Sequence, residues 1–454
     1  MAEPSEPAAS SAAAKAEPMS SRPPLHTVLP PLVLGTATFN QQYVPDPHSM
    51  PYHDIVARAL SLGVNGFDTS PYYGPSETLL GNALEGLMHP DASESNPNPV
   101  VPLQRSSFFL VTKAGRIASS EFDYSPSWVR YSILRSLQRL HTRYLDLVYM
   151  HDVEFVSGAE VLAAVRELRR LRDEEGVVRY VGISGFPVEV LCELAEMIFA
   201  ETGEPLDAVL SYGHFTVQNR RLGLPWVEEE EEGGRGASGR EGSPLARLKS
   251  AGVDVVLNAS MLGMGLLTSK GIPADPQSNV ETGETASPVA QWHPSPPELR
   301  RACKKLAEAA AEAGERLESV AIRWSLAEWA RIGAVAGFGV DVLVPGGGSC
   351  KVGTTVCGVS SVAELEETVA EWRGALESLG QPGKNSDEAY GLARQEKVLH
   401  LVRKVLWPAL GSWLDYVWES PKPGYVNARR ESERGVVPDD GVVAAYEQAR
   451  QKTR

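Results

Sequence analysis

Gly63-Val64-Asn65-Gly66-Phe67-Asp68-Thr69-Ser70-Pro71-Tyr72-Tyr73-Gly74 is the stretch on which the reading of this chain turns. Val64 to Phe67 reads as a short buried strand that breaks into Ser-Pro and Tyr-Gly turns. Ser76 then stands as N-cap to Leu79, Leu80, Ala83, Leu84 and Leu87, an apolar run at helical spacing. Asp68 and Tyr73 are thereby placed at the C-terminal mouth of a parallel strand, where barrels keep their chemistry. Alone, either residue could be structural, Asp68 as a cap and Tyr73 as a rim aromatic.

Their neighbours weigh against that. Lys113 ends the apolar strand Phe108 to Thr112, and His151 ends the strand Leu145 to Met150. Four ionisable residues thus stand at the ends of three successive strands, with a helical segment between each strand and the next. In this arrangement Asp68-Thr69-x-x-x-Tyr73-Gly74, then Lys113, then His151, the chain resembles the Asp-Tyr-Lys-His tetrad of the aldo-keto reductase superfamily. Gly182-Ile183-Ser184-Gly185-Phe186-Pro187, Leu210-Ser211-Tyr212 and Asn258-Ala259-Ser260 make it most similar to the fungal and plant branch that oxidises D-arabinose or L-galactose. The resemblance covers about residues 30 to 375.

The wider pattern agrees with a (β/α)8 TIM barrel carrying polar loop insertions and a C-terminal extension. Strands are expected at Leu32–Thr36, Val64–Phe67, Phe108–Thr112, Leu145–Met150, Val177–Ser184, Ala208–Tyr212, Val253–Leu257 and Val356–Gly358, with helical segments between them. A barrel needs ~250 residues and tolerates insertions, so 454 residues leave room for more. Residues 1–29 are Ala, Ser, Pro and Glu with little to bury and read as a disordered tail; the barrel is expected over 30–378. The acidic, Gly-rich run near 228–242 reads as a solvated insertion, and 273–294 as a polar loop, either a lid or unstructured. Residues 379–454 read as a partly helical extension. Its Trp407, Trp413 and Trp418 fit either packing beneath the barrel or a segment folded over its mouth.

Composition narrows the partners. A net charge of −15 disfavours nucleic acid and anionic membrane. Cys192, Cys303, Cys350 and Cys357 lack CxxC spacing and read as reduced thiols. His26, His48, His53 and His89 are scattered, and no metal cluster is expected. No apolar run approaches the ~18 residues of a membrane span. The N-terminus lacks an apolar leader and carries Glu3, Glu6 and Glu17, so a cytoplasmic protein is expected. Nothing reads as a dimer face, and the oligomeric state stays open.

The chemistry follows from moving a hydride and a proton together. Tyrosine serves as acid or base if its pKa of ~10 is brought toward neutrality, and a nearby ammonium favours the phenolate. Lys113 is given that task, Asp68 holds Lys113, and His151 faces the substrate oxygen. No GxGxxG motif supports a Rossmann domain, and Pro345 to Lys351 lacks the ending of a phosphate loop.

The resemblance supplies the cofactor map. It implies that Ser184 meets the nicotinamide carboxamide, with Gly185 where the family usually has Asn, Ser211 where many members have Gln, and Ala259 where many have a stacking Tyr. It puts Ser260, Leu262 and Gly265 along the diphosphate, and Gly358, Ser360, Glu364 and Glu367 at the adenosine end; Gly35 and Thr36 complete the set. Members that prefer NADPH usually carry Arg or Lys at the position of Ser360, so NAD is expected, with NADP possible and Lys351 the cation nearest in sequence. Phe39, Tyr72, Phe122 and Trp418 are expected to line an aromatic sugar pocket.

The resulting expectation is an NAD-dependent aldose 1-dehydrogenase yielding a lactone from a small-molecule sugar of D-arabinose, L-galactose or L-fucose type. The alternatives are a broad NADPH-dependent aldehyde or ketone reductase, and a cofactor-binding regulatory subunit with slow turnover.

Overall fold

A computed structural model describes residues 22–90, 101–227, 242–274, 288–343, 349–379 and 386–453. Residues 1–21 of the expected tail, 228–241 of the acidic insertion, 275–287 of the polar loop and 344–348 of the Gly-rich run lie outside the described residues.

Eight parallel strands close into a barrel. They are β1 (Leu32–Gly35), β2 (Gly66–Asp68), β3 (Phe109–Ala114), β4 (Leu145–His151), β5 (Val178–Gly185), β6 (Ala208–Tyr212), β7 (Val255–Ala259) and β8 (Thr354–Gly358). Each pairs with its neighbours in chain order, and β1 returns to β8 with Gly35 opposite Gly358. These strands are apolar runs buried on both faces, as a parallel sheet wrapped in helices requires. The register aligns Gly35 with Asp68, Asp68 with Val111, Lys113 with Tyr149 and His151 with Ser184. One end of the barrel therefore gathers Asp68, Lys113 and His151.

Side-chain caps explain some of the helix starts. Ser125 accepts from the Trp128 amide at the head of Pro126–Arg139. Ser157 and Glu160 form a reciprocal capping box at Gly158–Arg170, an arrangement whose cap alone contributes about 1 kcal/mol. Ser76 does not cap, contrary to expectation. Its Oγ is buried, donates to the Thr36 carbonyl at 2.8 Å and lies 3.0 Å from Thr69 Oγ1, so it ties β1 and β2 together beneath the site.

Residues 22–29 are packed rather than loose. Leu25 and Leu29 are buried, Tyr180 Oη donates to the Pro23 carbonyl at 2.6 Å, and His26 Nδ1 lies 2.7 Å from Asp254. They plug the end of the barrel opposite the mouth. An antiparallel hairpin, Val340–Leu343 with Ser349–Val352, lies just before β8 and was not expected.

From residue 386 the extension packs first on the helices Leu317–Val335 and Val362–Leu379 and then runs along the loops at the mouth end of the barrel. Trp407 Nε1 donates to Val217 O at 3.0 Å, past the end of β6, and Asp415 pairs with Arg220 at 2.6 Å. Ser420 Oγ lies 3.0 Å from Glu154 Oε1 past β4, and Asn427 exchanges two hydrogen bonds with the backbone of Phe122 past β3. The segment then reaches the outer helix Pro126–Arg139, where Tyr131 Oη donates to Asp440 at 2.8 Å. Of the two placements read from its tryptophans, the one at the mouth matches this path. The tryptophans are separate anchors: Trp407 meets Trp324, Trp413 meets Tyr416 and Trp418 meets Phe186.

Candidate active site

Lys113 Nζ donates to Asp68 Oδ1 at 2.6 Å and to the Thr69 carbonyl at 3.0 Å. The same ammonium lies 4.8 Å from the centre of the Tyr73 ring. His151 meets that ring edge-on, with centroids 5.6 Å apart. Residues from three strand ends thus meet around one half-buried phenol.

Burial sets their charge states. It raises the Asp68 pKa, against the pull of the adjacent ammonium. It also lifts Tyr73 well above its ordinary value, and the charges of Asp68 and Asp152 add to the rise. This reverses the expected lowering by Lys113. The Asp68 carboxylate neutralises the ammonium, so desolvation of the phenolate dominates. Tyr73 is accordingly a protonated phenol here.

Burial also pulls His151 down to about 3, and the cations Lys113 and Arg116 help, so its imidazole is neutral. Its Nδ1 lies 3.0 Å from Ser70 Oγ, which itself accepts from the Tyr72 amide at 3.1 Å. Ser70 can then give its own proton to Nδ1. That assigns the ring hydrogen to Nε2, facing the cavity as a donor.

The cavity has a volume of about 630 Å³ and extends from Asp68, Tyr73, Lys113 and His151 toward the far side of β8. Of the residues expected to contact a cofactor, Gly35, Ser184, Ser260, Leu262, Gly265, Gly358, Glu364 and Glu367 lie on its wall. Thr36 and Ser211 do not. Thr36 Oγ1 donates to the Asp68 carbonyl at 3.0 Å, and Ser211 is buried in the barrel with its Oγ unpartnered. Ser360 is also off the wall, its amide and hydroxyl both held by Glu364 at 2.7 and 2.9 Å. Lys351 is remote, paired with Asp341 at 3.2 Å in the hairpin before β8.

Among the aromatics expected around a substrate, Tyr72 lines the cavity. Phe39 is in the core, Phe122 stacks on Phe155, and Trp418 stacks on Phe186 with centroids 4.8 Å apart. The wall is completed by residues that sequence reasoning missed: Gln42, Tyr43, Arg116, Asp152, Tyr212, Lys270, Trp292 and Arg316. Two of these had a signal, since Asp152 directly follows His151 and Arg116 follows Lys113 by three. Trp292 arrives from the end of the expected polar loop. Its Nε1 donates to the Gln42 carbonyl at 2.8 Å, laying that segment against the loop after β1.

Among the described residues no group of His, Cys, Asp and Glu is arranged to hold a metal ion, and no helix is long and apolar enough to cross a membrane.

Comparison with known proteins agrees with this geometry. The model of the Aldo/keto reductase family matches residues 31–378. The chain is 40% identical to D-arabinose 1-dehydrogenase of Saccharomyces cerevisiae over 307 residues, covering 67% of this chain and 77% of that one. It is 31% identical to L-galactose dehydrogenase of Arabidopsis thaliana over 359 residues, covering 78% and 86%. A solved aldo-keto reductase from Bacillus halodurans aligns at 18% identity and a TM-score of 0.45, covering 79% of this chain and 94% of that one. With the family's model spanning the whole barrel and two relatives aligned over most of their length, this chain belongs to the aldo/keto reductase family, oxidoreductases that work with a nicotinamide cofactor.

Proposed function

We propose that the protein is an NAD-dependent aldose 1-dehydrogenase, oxidising the anomeric carbon of a cyclic sugar to its lactone. The observation that carries the reaction type is the meeting of Tyr73, Lys113, Asp68 and His151 at one end of a long cavity. The sugar class rests on the relatives, a D-arabinose and an L-galactose dehydrogenase.

The wall suits a nicotinamide dinucleotide. Its near end holds Ser184 beside the reacting groups. Its middle is the loop Ser260 to Thr268, with Lys270 placed to offset a diphosphate. Its far end carries Glu364 and Glu367, acceptors for ribose hydroxyls. When bound, the nicotinamide supplies the hydride acceptor. NAD is favoured because Arg316, the cation at the adenosine end, is already bound to Glu367 and lies 3.4 Å from Glu318. A 2′-phosphate would have to displace those carboxylates.

The chain's own residues then act on the sugar oxygen. His151 Nε2–H donates to the anomeric oxygen and orients it. Tyr73, once its own proton has left to solvent, takes the hydroxyl proton as the carbon loses hydride and so returns to the phenol. Lys113, fixed by Asp68, supplies the positive charge nearest the phenolate that accepts this proton.

One observation favours the alternative, an NADPH-dependent carbonyl reductase: the protonated state of Tyr73 is that of a proton donor. Incubation with D-arabinose and NAD, with NMR identification of the product, separates the two. Stoichiometric lactone and reduced cofactor support the dehydrogenase. Turnover seen only with aldehydes and NADPH supports the reductase.

A further inference from the structure

Beside His151 the cavity wall holds a carboxylate that the chemistry above does not use. Asp152 takes a left-handed backbone, φ 58°, which turns its side chain back alongside the histidine. Its side chain is 1% exposed. Oδ2 accepts from Arg116 Nη1 and lies 3.7 Å from His151 Nε2. Oδ1 is buried with no hydrogen-bond partner, although the residue lines the cavity. A buried carboxylate oxygen left without a donor is costly and calls for one from whatever fills the space.

The charge and orientation of this group are fixed in advance. Burial opposes ionisation of Asp152, but the Arg116 guanidinium that donates to it and the nearby Lys113 ammonium hold the carboxyl below its ordinary range. Arg116 lies over the Tyr72 ring, 3.7 Å from its centre, with Phe122 and Phe155 at 5.5 and 5.8 Å. It also donates to Tyr72 Oη at 3.0 Å, as does Gln42 Nε2 at 3.0 Å. With both acceptor positions of that phenol filled, its own proton is left to donate into the cavity. The wall next to His151 thus offers one anionic acceptor, Asp152, and one hydroxyl donor, Tyr72.

Such a wall suits a polyol and penalises an aldehyde with an apolar tail, which would leave Asp152 Oδ1 without a donor. Neighbouring oxygens on a sugar ring lie about one hydrogen-bond length apart. An anomeric oxygen held by His151 Nε2 therefore brings the oxygen on the next carbon toward the carboxylate whose Oδ2 lies 3.7 Å from that nitrogen and whose Oδ1 has no donor. We propose that Asp152, braced by Arg116, is the specificity-determining residue that accepts a hydrogen bond from the C2 hydroxyl of the sugar. The proposal rests on the aldose dehydrogenase reading. It adds that the substrate must carry a free hydroxyl beside the reacting carbon.

The test compares D-arabinose with 2-deoxy-D-ribose, the same sugar without its C2 oxygen, in the full-length enzyme with NAD. The wild type should favour D-arabinose in kcat/KM by about 100-fold, the scale of a hydrogen bond to a charged group. Asp152→Asn should lose about the same factor on D-arabinose and little on the deoxy sugar, collapsing the discrimination while the Kd for NAD stays unchanged. Asp152→Glu keeps the charge for Arg116 but moves the oxygen, and should also erode discrimination. Equal losses on both sugars, or discrimination that survives in both variants, would overturn the proposal. Failure of the wild type to oxidise any aldose would instead sink the dehydrogenase reading itself, and that result needs no variant to be seen.

Discussion

The Lys113 ammonium lies 2.6 Å from Asp68 Oδ1, and the two side chains are only 3% and 6% exposed. A pair this buried is sensitive to loss of one partner. Lys113→Met should destabilise the fold by about 3–5 kcal/mol by stranding the carboxylate. The double variant with Asp68→Asn should recover part of that loss. Denaturant unfolding of the three proteins checks it, and additive losses would mean that the two groups do not support each other.

In the proposed mechanism Tyr73 exchanges the substrate proton. Tyr73→Phe should lower kcat by about 10³-fold, the usual contribution of a positioned acid or base. Cofactor affinity, measured by fluorescence titration, should be unchanged, since the ring and its packing against Lys113 remain. A variant that keeps its turnover would remove Tyr73 from the mechanism.

Because burial holds Tyr73 protonated above its ordinary pKa, oxidation requires removal of that proton before the sugar can give up its own. The kcat/KM for sugar oxidation should therefore climb with pH across the neutral and alkaline range. Reduction of an aldehyde, which uses the protonated phenol, should stay nearly flat over the same range, because the raised pKa keeps Tyr73 protonated throughout it. Paired pH–rate profiles decide this, and profiles that rise together would contradict it.

Glu154 gives a stability prediction with a definite sign. Burial, and then the charge of Asp152, push its carboxyl up to about 8, against ~4.3 in an unfolded chain. Between those values the unfolded state ionises while the folded state keeps its proton. Unfolding then releases a proton, so stability drains away as pH rises, by at most ~1.4 kcal/mol per unit. Glu154→Gln removes the dependence and can still accept from Ser420 and the Phe186 amide. Its advantage over the wild type should widen between about pH 5 and about pH 8 in denaturant melts. A constant gap would show that Glu154 is ionised in the folded protein.

The barrel and the residues at its mouth were legible because the strands are apolar runs and three of them, β2, β3 and β4, carry Asp68, Lys113 and His151 at or next to their last residue. Asp68, Lys113 and His151 fall within the last residues of β2, β3 and β4, and the parallel register brings those ends together. Interactions that cross the chain were not legible. Arg116 meets Asp152 across 36 residues only because a left-handed turn at Asp152 folds its side chain back beside His151. Ser76 looked like a cap from its position alone, yet its hydroxyl is buried between two strand ends. Trp418 was sought in the substrate pocket, but Phe186 and His293 provide a packing partner and remove it from the wall. The rise in the Tyr73 pKa depends on three-dimensional burial, which the order of residues does not reveal.

The most direct test of the central claim is the initial rate of nicotinamide reduction, followed by absorbance, with D-arabinose and either NAD or NADP. Rapid reduction of NAD and weak reduction of NADP is the expected result, since Arg316 is held by Glu367 and Ser360 by Glu364. Equal or better rates with NADP would contradict the cofactor assignment, and no reduction of either with any aldose would contradict the dehydrogenase.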